Sequence, residues 1–262
     1  MSDSFGTFLS VLKGVLLVSG VFLLLTNYPS YGAGNFQVLQ TNKIIDQSGL
    51  IHLFGEIRNI SDNPQQDIVI FADFYDQSGK NIGNGSGIVP VRSLNRGDIS
   101  PFEIILLNSE QTKDVSNYTI NITSKVGLIK AENLVITSSK SRPDIFGYYY
   151  VNGRISNKGN DTATNTLAIA SFYDKDGKII GLSSAIAEPA NMTSLSTSSF
   201  TVVMDDKLQS TKIKDYYLTI DSDQYVSWKI NYNSAKHQKT IQSNLVQTLL
   251  PSITNNCNLS DS

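Results

Sequence analysis

Polar and apolar residues alternate over positions 67–76, with Ile68, Ile70, Ala72 and Phe74 on one side of the chain. Period two over such a stretch predicts a strand with one buried face. The same alternation returns at Thr166, Ala168, Ala170 and Phe172. Each run ends in turn chemistry, Asp76-Gln77-Ser78-Gly79 and Asp174-Lys175-Asp176-Gly177. There the Asp carboxylate can accept from amides ahead of it, and Gly tolerates a positive φ. The pattern predicts about seven strands in the first half, near 36–41, 50–58, 67–76, 82–92, 99–107, 117–123 and 126–131. A matching set follows 98 residues on and ends at 225–232, a stretch that holds Trp228.

That offset is an internal repeat. Gly55, Ile57 and Asn59 align with Gly153, Ile155 and Asn157. The run 72–76 aligns with 170–174, Phe102 with Phe200, and Tyr118 with Tyr216, with no gap from Gly55 to Tyr118. Short strands with regularly spaced turns argue an immunoglobulin-like sandwich in each copy. The expected fold class is all-β: two tandem immunoglobulin-like β-sandwiches of about seven strands, one over 35–131 and one over 132–232. The boundary falls near Ala131-Glu132-Asn133, with no Gly/Ser-rich or Pro-rich linker. So short a junction predicts an elongated, fairly stiff pair.

The pattern Gly-x-Ile-x-Asn, then an alternating strand ending Phe-Tyr-Asp, then a Gly-Lys turn, resembles the FxLxYD domain. Tyr75-Asp76 and Tyr173-Asp174 match the end of its motif. Phe71 with Asp73, and Ile169 with Ser171, stand where its Phe and Leu are expected. The resemblance covers most of both repeats. It implies a small immunoglobulin-like module of archaeal or bacterial secreted and envelope proteins, and it implies no reaction.

The ends of the chain read differently. Residues 14–26 are almost wholly apolar, Lys13 stands before them, and Ser30-Tyr31-Gly32 offers small residues after Pro29. This is the order of a secretory signal within 1–32. The competing reading is an uncleaved anchor over 5–26, long enough to span a bilayer. Both readings put everything after Tyr31 outside the cytoplasm, secreted or held on the outer face of the cytoplasmic membrane. Over 233–262 a short helix and a disordered tail are expected. Ile241, Leu245, Val246, Leu249 and Leu250 form one apolar stripe, ended by Pro251. The stripe either docks on the second sandwich or meets a partner or membrane surface, with Ile241, Leu245 and Leu249 as the contact.

Composition narrows the chemistry. A net charge of -2 without any basic run leaves nucleic acid aside as a partner. The one cysteine, Cys257, can make neither an internal disulfide nor a thiolate cluster. His52 and His237 are the only histidines. With Cys257 and the thioethers of Met192 and Met204 they are too scattered for a copper site. Asp174, Asp176 and Gly177 resemble the start of a calcium loop, but the twelfth position is Ala185 rather than Glu. No catalytic, metal or cofactor set is therefore expected. Asp205-Asp206 and Asp221/Asp223 read as solvated carboxylates at strand ends. Asn59 and Asn157 read as side chains that satisfy loop backbone. Asn-x-Ser/Thr acceptor patterns begin at Asn59, Asn84, Asn117, Asn121, Asn160, Asn191 and Asn258, so glycan is chemically available to an exported chain. The expected role is a non-enzymatic structural or interaction module that meets an envelope protein or surface glycan. An accessory subunit of an envelope membrane complex is the next reading, and a metal or small-ligand binder follows.

Overall fold

Alternating side chains send one face of each strand into a core, and every strand pairing is antiparallel. The computed structural model describes residues 34–106, 114–227 and 230–231. The first half holds β1 (Phe36–Ile45), β2 (Ile51–Asn59), β3 (Gln65–Tyr75), β4 (Asn81–Ile88), β5 (Ser93–Leu94), β6 (Ile99–Leu106) and β7 (Asn117–Val126). The second holds β8 (Leu134–Pro143), β9 (Tyr149–Asn157), β10 (Leu167–Tyr173), β11 (Ile179–Ile186), β12 (Thr197–Met204), β13 (Asp215–Asp221) and β14 (Ile230–Asn231). One short helix, α1 (Lys207–Ser210), joins β12 to β13.

Adding 98 to both bounds of β1, β2, β4 and β6 gives the bounds of β8, β9, β11 and β12. The irregularities recur too. Bulges at Val38/Gln40 and Phe74/Tyr75 return at Ile136/Ser138 and Phe172/Tyr173. The pairing of Gln65 with Leu94 returns as the bridge of Ala163 with Met192. In the first half β1-β2-β6 form one sheet, while β3 pairs with β4, β5 and β7 in another. In the second, β8-β9-β12 and β11-β10-β13-β14 are the sheets. The architecture is all-β and sandwich-like. Ile57, Ile70, Phe74, Phe102 and Ile104 fill the first core, and Ile155, Ala168, Phe172, Phe200 and Leu218 the second.

Four hairpins share one turn. Asp46, Asp76, Asp144 and Asp174 each accept from the amides two and four residues ahead, at 2.8–3.0 Å. Gly49, Gly79, Gly147 and Gly177 follow at φ between 75° and 90°. The fold is thus local at its turns and long-range at its faces.

Two expectations change. No strand occupies 127–130: Gly127 N–H donates to Pro64 O at 2.8 Å, and the Asn95 side chain takes both the amide and the carbonyl of Lys130. Those backbone groups are satisfied by loops, so no ladder forms. Nor are the halves strung end to end. The outer face of β10 and β11 lies on the outer face of β1 and β2. Phe54, Tyr173 and Ile179 form a buried cluster there, joined by Ile44, Leu182 and Tyr217. The apolar side chains on that second face, which a lone sandwich would expose, drive the contact. The expected signal or anchor over 1–32 and the helix carrying Ile241, Leu245 and Leu249 lie outside the described residues. Among the described residues no helix is long and apolar enough to cross a membrane.

Candidate functional site

The residues that recur in both halves are structural. Phe74 and Phe172 are fully buried, and the following Asp in each copy starts the hairpin turn. Asp174 and Asp176 belong to that turn: Asp174 accepts from the Asp176 amide, and Asp176 pairs with Lys175 at 2.9 Å. Asn59 donates from Nδ2 to the carbonyls of Asn63 and Leu94, both at 2.9 Å, and Asn157 donates to those of Asp161 and Met192. Both asparagines are completely buried, as expected for side chains that replace backbone partners.

That burial bears on the acceptor patterns. The Asn59 amide is enclosed and fully bonded, so the folded chain offers no room for a glycan there. Asn84, Asn117, Asn121, Asn160 and Asn191 are exposed, and Asn258 lies outside the described residues. Asn84 and Asn121 stand directly across from Asp73 and Phe71 on β3. Met192 and Met204 are core residues, at 0% and 4% exposure, and present no thioether to a metal. His237 and Cys257 are outside the described residues. Among those described, no three His, Cys, Asp or Glu side chains gather as a metal site.

The polar chemistry instead concentrates where the halves meet. Asp221 was expected to be solvated, yet its side chain is fully buried. Lys130 Nζ reaches it at 2.7 Å from the segment joining the halves, and Arg92 Nη1 at 2.9 Å from the first half. Burial pushes the Asp221 carboxyl up, against the pull of Lys130 and Arg92. Arg92 also donates to the Asn165 carbonyl, and Asp223 accepts from Thr164 and Asn165. Asp206, by contrast, caps α1 by accepting from the amides of Leu208 and Gln209.

A second contact crosses the middle of the interface. The Tyr173 hydroxyl donates to buried Glu56 Oε1 at 2.6 Å, while Gln40 Nε2 donates to Oε2 at 2.7 Å. Burial first, then the Glu56 charge, pushes the Tyr173 phenol far up, so it stays a donor. Asn42 Nδ2 donates to the Ile179 carbonyl at 2.8 Å. A cleft of 460 Å³ opens beside these groups, lined also by Lys214 and Tyr217.

Beside the interface stands His52, whose bonding partners all belong to the first half. Its Nδ1 lies 2.6 Å from Glu103 Oε1 and its Nε2 3.2 Å from Asp46 Oδ2. The ring stacks on Phe54, 5.8 Å between centroids. The bond to Glu103 raises the His52 pKa more than burial lowers it, and Asp46 adds to the rise. Asp205, Asp206 and Lys207 of the second half share a cleft with His52, Asp46 and Gln47. Sequence reasoning named His52 only as a metal candidate and missed Glu56, Tyr173, Lys130 and Arg92. Apart from Tyr173, which recurs as Tyr75, their signal was divergence: Phe54 and Glu56 face Asn152 and Arg154 at the repeat offset, and Ile179 and Leu182 face Asn81 and Asn84.

No family model and no curated protein matches the chain. Among solved structures, Amycolatopsis orientalis exo-chitosanase CsxA is similar at 9% identity and a TM-score of 0.29, over 73% of this chain and 26% of that one. Bacteroides uniformis beta-glucuronidase 2 is similar at 14% identity and a TM-score of 0.25, over 70% and 26%. Red sea bream transglutaminase is similar at 7% identity and a TM-score of 0.25, over 76% and 31%. This chain thus spans a quarter to a third of each, and likenesses at this level carry no argument about activity.

Proposed function

We propose that the chain is a non-enzymatic interaction module of the cell envelope, working outside the cytoplasm. Two tandem immunoglobulin-like sandwiches, 35–131 and 132–232, act as one rigid unit that meets an envelope protein or surface glycan. The observation that carries this reading is the division of labour between shared and unshared positions. Shared residues fill cores and turns, as Phe74 and Phe172 do. Unshared ones build most of the contact between halves, as Phe54, Glu56, Ile179 and Leu182 do around the shared Tyr173. A stiff pair of sandwiches suits presentation of surfaces better than a moving catalytic cleft. The resemblance to the FxLxYD domain supports the same setting.

The test is crosslinking in intact cells from the outer face of β3, where Phe71 stands 43% exposed. A photoreactive residue at Phe71 is expected to capture an envelope protein or glycan. Capture of cytoplasmic proteins alone would overturn the reading. So would protection of the whole chain from protease added outside.

A further inference from the structure

Five large apolar side chains stand in solvent at one end of the molecule: Ile60 (49% exposed), Val126 (65%), Leu128 (81%), Ile129 (79%) and Leu195 (74%). They share an end because the segment 127–133 runs across it. Asn95 Nδ2 holds the Lys130 carbonyl at 2.9 Å on the first half, and the Lys158 amide holds the Asn133 carbonyl at 2.7 Å on the second. Leu195 N–H donates to the carbonyl of Asn157, the last residue of β9, whose ladder partner Leu134 begins β8. Ile60 N–H donates to the Asn35 carbonyl at 2.9 Å, just before β1.

Folding does not ask for the Leu195 side chain. The first half makes the Leu195 turn with Gly97, whose amide donates to Asn59 O at 2.8 Å as that of Leu195 does to Asn157 O at 2.9 Å. The φ values are 87° for Gly97 and 61° for Leu195. A leucine at positive φ crowds its Cβ against the backbone, so the residue stands there against local preference. Its side chain gains no core contact in exchange, being 74% exposed. Such an outlier points to a contact made outside the chain.

The chain also enters β1 at this end. Seven residues, 27–33, separate the apolar run 14–26 from Gly34. Extended, they reach roughly 25 Å at most. We propose that this end is a lipid-contacting surface that rests on the bilayer holding segment 5–26 and so fixes the orientation of both sandwiches. The proposal rests on the anchor reading of that segment. Two of the neighbouring cations are paired, Lys125 with Asp67 at 3.1 Å and Arg96 with Asp62. The contact therefore draws on apolar insertion at the headgroup boundary rather than on anionic lipid.

The test uses the full chain with Cys257→Ser, reconstituted in phosphatidylcholine vesicles with and without brominated acyl chains. An environment-sensitive fluorophore is attached through Leu128→Cys, Leu195→Cys or, as a control at the opposite end, Ile145→Cys, a turn position 92% exposed. Bromine quenching is expected to be several-fold stronger at 128 and 195 than at 145, and unchanged in high salt. A chain that floats with the vesicles but is quenched equally at all three sites overturns the surface and leaves the anchor standing. A chain that does not float overturns the anchor and the surface with it.

Discussion

Gly55 and Gly153 hold the same place in the repeat for the same reason. A Cβ at Gly55 would come 2.3 Å from the Phe102 ring and 2.8 Å from the Gln40 carbonyl; at Gly153 it would meet Phe200 and the Ser138 carbonyl. The ring of the neighbouring strand lies over each glycine. Gly55→Ala is therefore expected to lower the unfolding free energy by about 1–3 kcal/mol, the usual range for overpacking. Denaturant titration checks it, and wild-type stability would remove the argument. Leu195→Gly should act oppositely, raising stability by about 1 kcal/mol as the strain at φ 61° is relieved. The recurrence of Gly55, Asn59 and Phe102 was legible in sequence at the offset of 98. Its cause was not: Gly55 and Phe102 meet only through the pairing of β2 with β6. Nor could sequence say that Asn59, though it opens an acceptor pattern, is enclosed.

Strands show which signals are local. The predicted 82–92 and 99–107 correspond to β4 at Asn81–Ile88 and β6 at Ile99–Leu106, because period two and flanking turn residues define them without a partner. The predicted 126–131 fails because Val126, Leu128 and Ile129 look like a strand in composition while their neighbours bond to loops. Strand β10 carries a clue to its second covered face. Leu167-Ala168-Ile169-Ala170 is apolar at both parities, the mark of a strand covered on both faces. Its counterpart β3 has Phe71 exposed where β10 has Ile169 buried. The side-by-side contact was thus written largely in differences between copies, which a search for likeness discards. Ile179→Asn, which copies Asn81 of the first half, tests this. It strips a fully buried side chain from the cluster with Phe54 and Tyr173 and leaves an amide to satisfy. A loss of about 2–5 kcal/mol is expected. Unfolding with two separated transitions would place the loss at the interface, whereas unchanged stability would show that the contact is not needed.

The whole molecule is held by charge as well as apolar area. Lys130 ties the joining segment to buried Asp221, so Lys130→Met leaves that carboxylate with Arg92 alone. A loss of about 3 kcal/mol is expected, the low end for breaking a buried pair because Arg92 remains. At the other end of the interface His52 provides a pH response whose sign can be worked out. Its folded pKa is raised above 6.5, first by the bond to Glu103, then by Asp46. A raised value means that the folded state binds the proton more tightly than the unfolded chain. The stabilisation is therefore fully present below pH 6.5 and is lost as pH rises through the folded value. Above it, neutral His52 faces Asp46 and Glu103, with Asp205, Asp206 and Lys207 of the second half bordering the same cleft. The Asp46 and Glu103 carboxylates on either side of the ring then repel with no cation between them. The urea midpoint is expected to fall from about pH 6 to about pH 9 in the parent chain and to lose most of that slope in His52→Gln. Because His52 stacks on Phe54 beside the cluster with Tyr173 and Ile179, the fall should appear as loosening between halves before either core melts. Amide exchange along β2 and β11 reads that directly: faster exchange there at high pH, after correction for the intrinsic rate, with slow exchange retained in β9 and β12, is the expected pattern. Equal protection at both pH values would show that the histidine is an ornament of the interface rather than one of its ties.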